Sequence, residues 1–204
     1  MRDKICREPG RTRATLNFLG ILFLITGILQ FIVPWLDGNY THFIWFSSHV
    51  IILLGVGILL RSRFLLTAEL CIALIPETLW SIDFLGKLFS NKYFIGITQY
   101  MFEGKFDFVA LVNLEHLLII PLGLVAVWYL GRDKNGWKGS LIHVLVLWVI
   151  GLIAGPIYNI NCIFKSCTLL FGNLSSYMIL WPIIVFSMIC LSNVILELFS
   201  LMKK

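Results

Sequence analysis

Apolar residues dominate this chain in six long runs, each separated from the next by a polar or charged stretch. The runs cover residues 16–35, 42–60, 64–85, 111–130, 140–158 and 177–198. Each has about the length that an α-helix needs to cross ~30 Å of hydrocarbon. Because backbone groups in lipid must pair within their own segment, runs this continuous predict helices rather than barrel strands. The pattern therefore predicts an all-α integral membrane bundle of six transmembrane helices, forming a single domain over residues 1–204.

The basic residues lie mostly on one side of this predicted bundle. One set occupies the N-terminal segment, the connections after the second and fourth runs, and the C-terminal end: Arg2, Lys4, Arg7, Arg11, Arg13, Arg61, Arg63, Arg132, Lys134, Lys138, Lys203 and Lys204. The remaining connections hold Lys87, Lys92, Lys105 and Lys165. Lys and Arg flank the cytoplasmic ends of spans. We therefore expect a multi-pass protein of the cell membrane with both termini in the cytoplasm.

Composition supports the bilayer as the main partner of this chain. The sequence is 59% hydrophobic and only 13% charged, about half the charge of a soluble domain. Its net charge of +5 comes from short basic clusters between apolar runs. Such clusters are typical of membrane proteins and do not form the basic stripe that a nucleic-acid partner would require. The oligomeric state is left open.

The cysteine pattern excludes two common site types and leaves one pairing open. The five cysteines include no C-x-x-C pair, so zinc-ribbon and thioredoxin sites are not indicated. Cys162 and Cys167 lie in a connection predicted to be outside, where an oxidising compartment would favour a disulfide. The alternative is two free thiols on a buried turn.

The connection at 86–110 is long and unusually aromatic. Seven aromatic residues alternate with Lys87, Lys92 and Lys105 over these 25 positions. A freely solvated loop would not need so many aromatic residues. We expect this segment either to lie in the membrane interface as a short amphipathic helix or to fold back over the bundle as a lid.

Ionisable residues inside the predicted spans are the candidate functional groups, since each costs at least a few kcal/mol in the bilayer. Most fall in the outer half, whereas Glu69, His143 and Glu197 lie near basic ends, where they can reach water or pair with Arg61, Arg63 or Lys203. This asymmetry predicts a polar pocket that opens to the outer side beneath the 86–110 segment. The candidate pocket residues are His49, Glu77, Trp80, Asp83, Tyr100, Asn113, Glu115, His116, Asn159 and Asn161, with Gln30 at a similar depth.

Several of these residues also have a structural interpretation. Asp83 could cap backbone or pair with Lys87 at the end of its span, and Glu77 could be a hydrogen-bond acceptor beside the helix-kinking Pro76. A single histidine in a span, such as His49, is more often a packing residue than part of a functional site. Glu115 and His116 are adjacent and project about 100° apart on a helix, so we expect one of them to face a neighbouring helix.

Three chemistries could use such a cluster. Histidines and carboxylates could bind Zn²⁺ and activate water, with His49, Glu77 and His116 as candidate ligands. The same groups could relay protons, and two histidines could ligate a haem. The sequence contains no H-E-x-x-H, G-x-S-x-G or Walker motif, so it names no cofactor and leaves open whether the protein is an enzyme.

The leading hypothesis is binding or transport of a small molecule or ion, with Asp83 and His116 as polar anchors. One alternative is a membrane-embedded enzyme acting on a lipid-like substrate, with His116 as base or metal ligand. Another is a structural or assembly subunit of a membrane complex without chemistry of its own.

The stretches "LWSIDFLGKL", "ITQYMF", "EHLLIIPLGL" and "YNIN" resemble a family of small bacterial and archaeal multi-span membrane proteins with no assigned function. The resemblance covers residues 74–161 and implies a fold, not an activity. Its positions are Trp80, Asp83, Tyr100, His116, Pro121, Asn159 and Asn161. The family pattern has no acid equivalent to Glu77 or Glu115, which weakens a metal site built on them. The resemblance instead favours a site at the outer rim, formed by Asp83, Tyr100, His116, Asn159 and Asn161.

Overall fold

Helices are the regular elements of this chain, and the described residues contain no strand. The structure is a computed structural model that describes residues 10–103, 107–169 and 177–202. Within these ranges the α-helices are α1 (Gly10–Leu36), α2 (Phe46–Leu59), α3 (Arg63–Ser90), α4 (Phe108–Asn113), α5 (His116–Leu130), α6 (Gly136–Ala154) and α7 (Tyr177–Leu201). Short 3-10 helices cover Tyr40–Ile44, Gln99–Met101 and Ile160–Cys162. The first nine residues, part of the predicted lid at 104–106, and Lys203 and Lys204 lie outside the described residues.

Five helical segments of the described chain are long and apolar enough to cross a membrane: α1, α3, α4 with α5, α6 and α7. Helix α2 is shorter, at 14 residues. It rises only ~21 Å at 1.5 Å per residue, less than the ~30 Å of a hydrocarbon core. The predicted run at 42–60 is therefore not one continuous helix.

A side chain from a distant loop explains the late start of α2. The Asn161 Oδ1 accepts a hydrogen bond from the Phe46 backbone N–H at 2.7 Å, and its amide donates to the Ile44 carbonyl at 3.1 Å. Between these two residues Trp45 has extended backbone angles. The chain thus leaves the 3-10 helix, bends at Trp45 and only then enters α2.

The helix predicted at 111–130 begins earlier, at Phe108, and its regular hydrogen-bond pattern is interrupted after Asn113. Asp107 caps the first turn of α4 by accepting the Ala110 N–H at 2.8 Å. At Leu114 and Glu115 the hydrogen bonds tighten to the i→i+3 pattern, although both residues keep right-handed helical angles, and α5 then starts at His116.

The predicted run at 140–158 is shifted toward the N-terminus. Helix α6 starts at Gly136 and ends at Ala154. The next residue, Gly155, has φ +84°, a conformation that glycine adopts more readily than other residues and that stops the helix.

The predicted run at 64–85 is extended at its C-terminal end. The polar residues after position 85 remain helical, so α3 ends only at Ser90, before the left-handed Asn91.

Helix α3 is the centre of the bundle, because it packs against α2, α5, α6 and α7. Its side chains Leu66, Leu70 and Cys71 are fully buried. Helix α1 lies at the periphery along α2, and Gly20 and Gly55 bring the two backbones together. A Cβ atom at Gly55 would lie 3.0 Å from the Gly20 carbonyl oxygen, so this contact is internal to the chain.

The two ends of the bundle differ in charge and in loop length. One end, named here the basic end, has the α2–α3 and α5–α6 connections and carries Arg61, Arg63, Arg132, Lys134 and Lys138. The opposite end, named the loop end, has the longer connections at 37–45, 91–107 and 155–169.

Candidate functional site

Helix α3 carries two buried glutamates, and each contacts a histidine from another helix. Glu69 is 2% exposed, and a carboxylate oxygen lies 3.0 Å from the His143 Nδ1 on α6. Glu77 is 7% exposed and is hydrogen-bonded to the His116 Nδ1 at the start of α5. The two glutamates are eight residues apart, which separates them by ~12 Å along the helix. Glu69 therefore pairs inside the bundle and does not reach water at the basic end.

Trp80 packs against the Glu77–His116 pair and joins it to the 91–107 loop. The Trp80 ring lies 4.6 Å from the His116 ring, centroid to centroid. The Trp80 indole N–H donates to the Tyr100 hydroxyl at 3.0 Å. Burial raises the pKa of Tyr100 still further above neutral pH, and the protonated hydroxyl, which accepts from Trp80, keeps its own hydrogen as a donor.

The junction between α4 and α5 forms a second part of the site, against α1. The Gln30 Nε2 donates to the Asn113 Oδ1 at 3.0 Å and to one carboxylate oxygen of Glu115. All three residues are at most 5% exposed. Glu115 thus faces α1 while His116 faces α3, which confirms that these adjacent residues serve different neighbours.

His42 belongs to this polar region, although sequence analysis placed it only at the edge of a span. Its imidazole is hydrogen-bonded to the Gln30 backbone and lies close enough to His116 for the charges of the two rings to interact. The fully buried Ser48 hydroxyl donates to the His42 carbonyl at 3.1 Å. A polar residue at a span edge is ordinary, so no sequence signal singled His42 out.

His49 lies apart from the Glu77–His116 pair and next to the other one. Its Nε2 is 2.8 Å from the Phe43 carbonyl oxygen, and its ring is 5.8 Å from the His143 ring. Among the described residues, no group of three or more His, Cys, Asp or Glu side chains is arranged to hold a metal ion. The candidate ligand set of His49, Glu77 and His116 is therefore not assembled.

Asp83 holds the loop rather than facing a pocket. One carboxylate oxygen accepts the backbone N–H groups of Phe94, Ile95 and Gly96 at 2.7, 2.8 and 3.0 Å. The other accepts the backbone N–H and the hydroxyl of Thr98. Asp83 is fully buried, so its structural interpretation as a backbone cap is the one that its contacts support.

Lys87 is not the partner of Asp83. Its ammonium group donates to the Asn91 side chain at 2.8 Å and lies over the Tyr93 ring. The 91–103 segment is thus anchored at Asp83 and Trp80 and folds back onto the bundle, as the lid alternative predicts.

Asn159 and Asn161 organise the other long loop. The Asn159 Oδ1 accepts the Phe164 and Lys165 N–H groups at 3.0 and 2.9 Å. Asn161 secures the start of α2, and its own carbonyl accepts the Trp181 indole N–H at 2.8 Å. A disulfide joins Cys162 and Cys167 within this loop, which is the pairing favoured from the sequence.

Two cavities adjoin the carboxylates of the site. The larger, about 70 Å³, lies between α2, α3 and α7 and is lined by Glu77 among mostly apolar side chains, including Phe46 and Ala73. The smaller, about 10 Å³, lies between α1, α2 and α5, with Glu115 and Thr26 as its polar lining residues. A cavity of 10–15 Å³ measured in this way holds about one water molecule.

The predicted pocket residues therefore divide into two groups. Glu77, Trp80, Tyr100 and His116 are joined to one another, with Asn113 and Glu115 beside them. Asp83, Asn159 and Asn161 hold the loops, and His49 lies with Glu69 and His143.

No family model, curated protein or solved structure matches this chain. The resemblance to the multi-span membrane family remains a prediction. Of its seven positions, Trp80, Asp83, Tyr100, Asn159 and Asn161 make the contacts that hold the loop end together.

Proposed function

We propose that this chain crosses the cell membrane six times, with the basic end and both termini in the cytoplasm. The length and apolar character of five helical segments support this topology, and α2 with its preceding 3-10 helix supplies the sixth crossing. The short connections at the basic end carry Arg61, Arg63, Arg132, Lys134 and Lys138, and cytoplasmic connections are enriched in such residues.

We further infer that the protein moves protons across this membrane. The observation that carries the proposal is the pair of buried glutamate–histidine contacts on α3, Glu69–His143 and Glu77–His116. Chains of Asp, Glu and His within membrane spans are typical of proton pathways in pumps and transporters. All four histidines of the sequence lie in or beside these two pairs.

A glutamate and a histidine in hydrogen-bond contact can pass one proton between carboxylate oxygen and ring nitrogen. The second ring nitrogen then receives or releases a proton on the opposite side, because imidazole carries both donor and acceptor sites. The His143 Nε2 is buried, and it has no hydrogen-bond partner within the described part of the chain. This nitrogen therefore has an open hydrogen-bonding position through which the proposed route would continue.

The ~12 Å between the two pairs is too long for direct transfer. The larger cavity lies along this interval, since Ile72, Ala73 and Glu77 of α3 line it. Phe46 also lines the cavity, and its ring contacts the His143 ring at 6.4 Å between centroids. At about 70 Å³ the cavity has room for several water molecules, which would extend the route from Glu77 toward Phe46 and His143.

At the loop end the route would continue past His116 toward the water. His42 and the Trp80–Tyr100 hydrogen bond lie on that side of the pair. Asp83 is assigned to the scaffold, because both of its oxygens are engaged by the loop. In this proposal His116 remains one of the two polar anchors expected from the sequence, and Glu77 takes the place of Asp83 as the other.

The test is proton flux into liposomes that contain the purified full-length protein and a trapped pH indicator. A potassium gradient with valinomycin sets the driving potential. Wild-type protein should acidify or alkalinise the lumen faster than empty liposomes. Glu77→Gln and Glu69→Gln should each reduce the protein-dependent rate at least about tenfold, because a neutral amide cannot carry the proton.

Glu103→Gln is the matched control, since Glu103 is an exposed glutamate in the loop. It should keep the wild-type rate. Folding of each variant is checked by size-exclusion chromatography and helical circular dichroism. Equal flux for wild-type protein and both folded buried-site variants, or wild-type flux no higher than that of empty liposomes, would refute the proposal.

A further inference from the structure

Three exposed cations at the basic end have no acidic partner. They are Arg63, the first residue of α3, Lys134 in the α5–α6 connection, and Lys138 in the first turn of α6. No ion pair joins any of them to an acid within the described part of the chain. The proton route does not use these residues, and an unpaired positive surface indicates a negatively charged partner.

The fold brings these cations to one surface, named here the cationic face. The Arg63 guanidinium lies over the α5–α6 connection, because a Cβ atom at Gly131 would lie 3.8 Å from the Arg63 Cζ. Phe64, the next residue of α3, packs on Gly139 of α6, where a Cβ atom would lie 2.9 Å from the ring Cζ. Arg63 and Lys138 therefore flank the same contact between α3 and α6.

The acids near the cationic face do not cancel its charge. Glu197 is paired with Arg132 at 3.5 Å, so it compensates a different cation. Asp133 lies beside the face, and its carboxylate accepts the Asn135 backbone N–H at 2.7 Å. Three cations thus face one acid, and the face keeps an excess of positive charge.

Apolar side chains adjoin the cations. Phe64 is 44% exposed, and Trp137 beside Lys138 is partly buried, as is usual for tryptophan at a membrane interface. A soluble anion such as inorganic phosphate would use the cations but gain nothing from the exposed ring. A phospholipid with a negatively charged headgroup would use both, with its phosphate at the cations and an acyl chain along Phe64.

We propose that Arg63, Lys134 and Lys138 bind the headgroup of an anionic phospholipid, with Phe64 against its acyl chain. Anionic lipids are characteristic of the cytoplasmic leaflet, so this contact would hold the basic end in the headgroup layer. The proposal uses the topology inferred above, in which the basic end lies at a membrane surface. It does not depend on the proton route.

The test is lipid retention by the purified full-length protein in a neutral detergent, counted by native mass spectrometry. Phosphatidylglycerol and phosphatidylcholine with identical acyl chains are added in equal amounts, so that the two lipids differ in headgroup and net charge. Each Lys or Arg near an anionic lipid strengthens binding about fivefold. Wild-type protein should therefore retain phosphatidylglycerol at least about tenfold more than phosphatidylcholine.

Two double variants locate the effect. Arg63→Gln/Lys138→Gln should weaken the apparent affinity for phosphatidylglycerol at least about tenfold. Lys92→Gln/Lys165→Gln is the matched control, because it removes two charges from exposed positions at the loop end, and it should keep the wild-type preference. Melting in lipid-free detergent checks that each variant is folded. If the first double variant does not fold, Lys138→Gln alone, with an expected loss of about fivefold, decides the question.

Equal retention of the two lipids by wild-type protein overturns the proposal. So does an equal loss of preference in both double variants, which would show that net charge alone sets the binding. Displacement of bound phosphatidylglycerol by millimolar inorganic phosphate would also overturn it, since that result describes a site for a soluble anion. Glu77→Gln separates the two proposals, because it should lose proton flux but keep the preference for phosphatidylglycerol.

Discussion

Asp83 and Thr98 are joined by two hydrogen bonds to one carboxylate oxygen, from the threonine N–H at 2.9 Å and from its hydroxyl at 2.8 Å. The other oxygen of Asp83 accepts three further backbone N–H groups. A single buried side chain on α3 thus determines the path of the 94–98 segment. This contact distinguishes a structural acid from Glu77 and Glu69, the two acids proposed to carry protons, which lie about two and four turns deeper along α3.

Asp83→Asn should loosen this segment without blocking proton flux. The amide NH₂ group would face backbone donors in place of an acceptor oxygen, at a cost of about 2–4 kcal/mol. The measurements are thermal unfolding in detergent and the rate of tryptic cleavage at Lys92, which should rise. Asp37→Asn, at an exposed position, is the control and should change neither. Normal loop protection in Asp83→Asn would contradict this role.

Gly55→Ala should destabilise the α1–α2 contact. A Cβ atom at Gly55 would lie 2.9 Å from the Leu24 backbone nitrogen and 3.0 Å from the Gly20 carbonyl oxygen. Backbone atoms cannot move aside as a side chain can, so we expect a loss of about 1–3 kcal/mol. Gly10→Ala, where a Cβ atom meets nothing within 4 Å, should be within about 0.5 kcal/mol of wild type. Thermal melts of the two variants make the comparison.

Loss of the Cys162–Cys167 disulfide should weaken the loop that secures α2. Asn161, adjacent to Cys162, has φ 52°, in the left-handed region, and bridges Ile44 and Phe46. Closing a loop this short is worth about 2 kcal/mol through the unfolded state. The double change Cys162→Ser/Cys167→Ser should lower the melting temperature, and a reductant should no longer affect it. Cys190→Ser, at an exposed free cysteine, should behave as wild type.

Hydrophobic pattern alone determined the helical class of this protein and the approximate position of each long helix. Burial of the lipid-facing backbone leaves helices as the only solution for such runs, and this constraint is local. The hydrophobic pattern also identified Glu77 and His116 as residues that need a polar partner. An ionisable group inside an apolar run is unfavourable in the bilayer, and it is visible in the sequence itself.

Tertiary structure decided which partner each residue received. Asn161 ends up against Phe46, 115 residues away in the chain, and so shortens α2. The orientation of each helix about its axis directs Glu115 to Gln30 and His116 to Glu77. In the same way it places the His49 ring beside His143 of the Glu69–His143 pair. Sequence analysis assigned depth along a helix, but the direction of a side chain around the helix axis depends on which helices pack beside it. That packing separated the scaffold acid Asp83 from the paired acids Glu69 and Glu77.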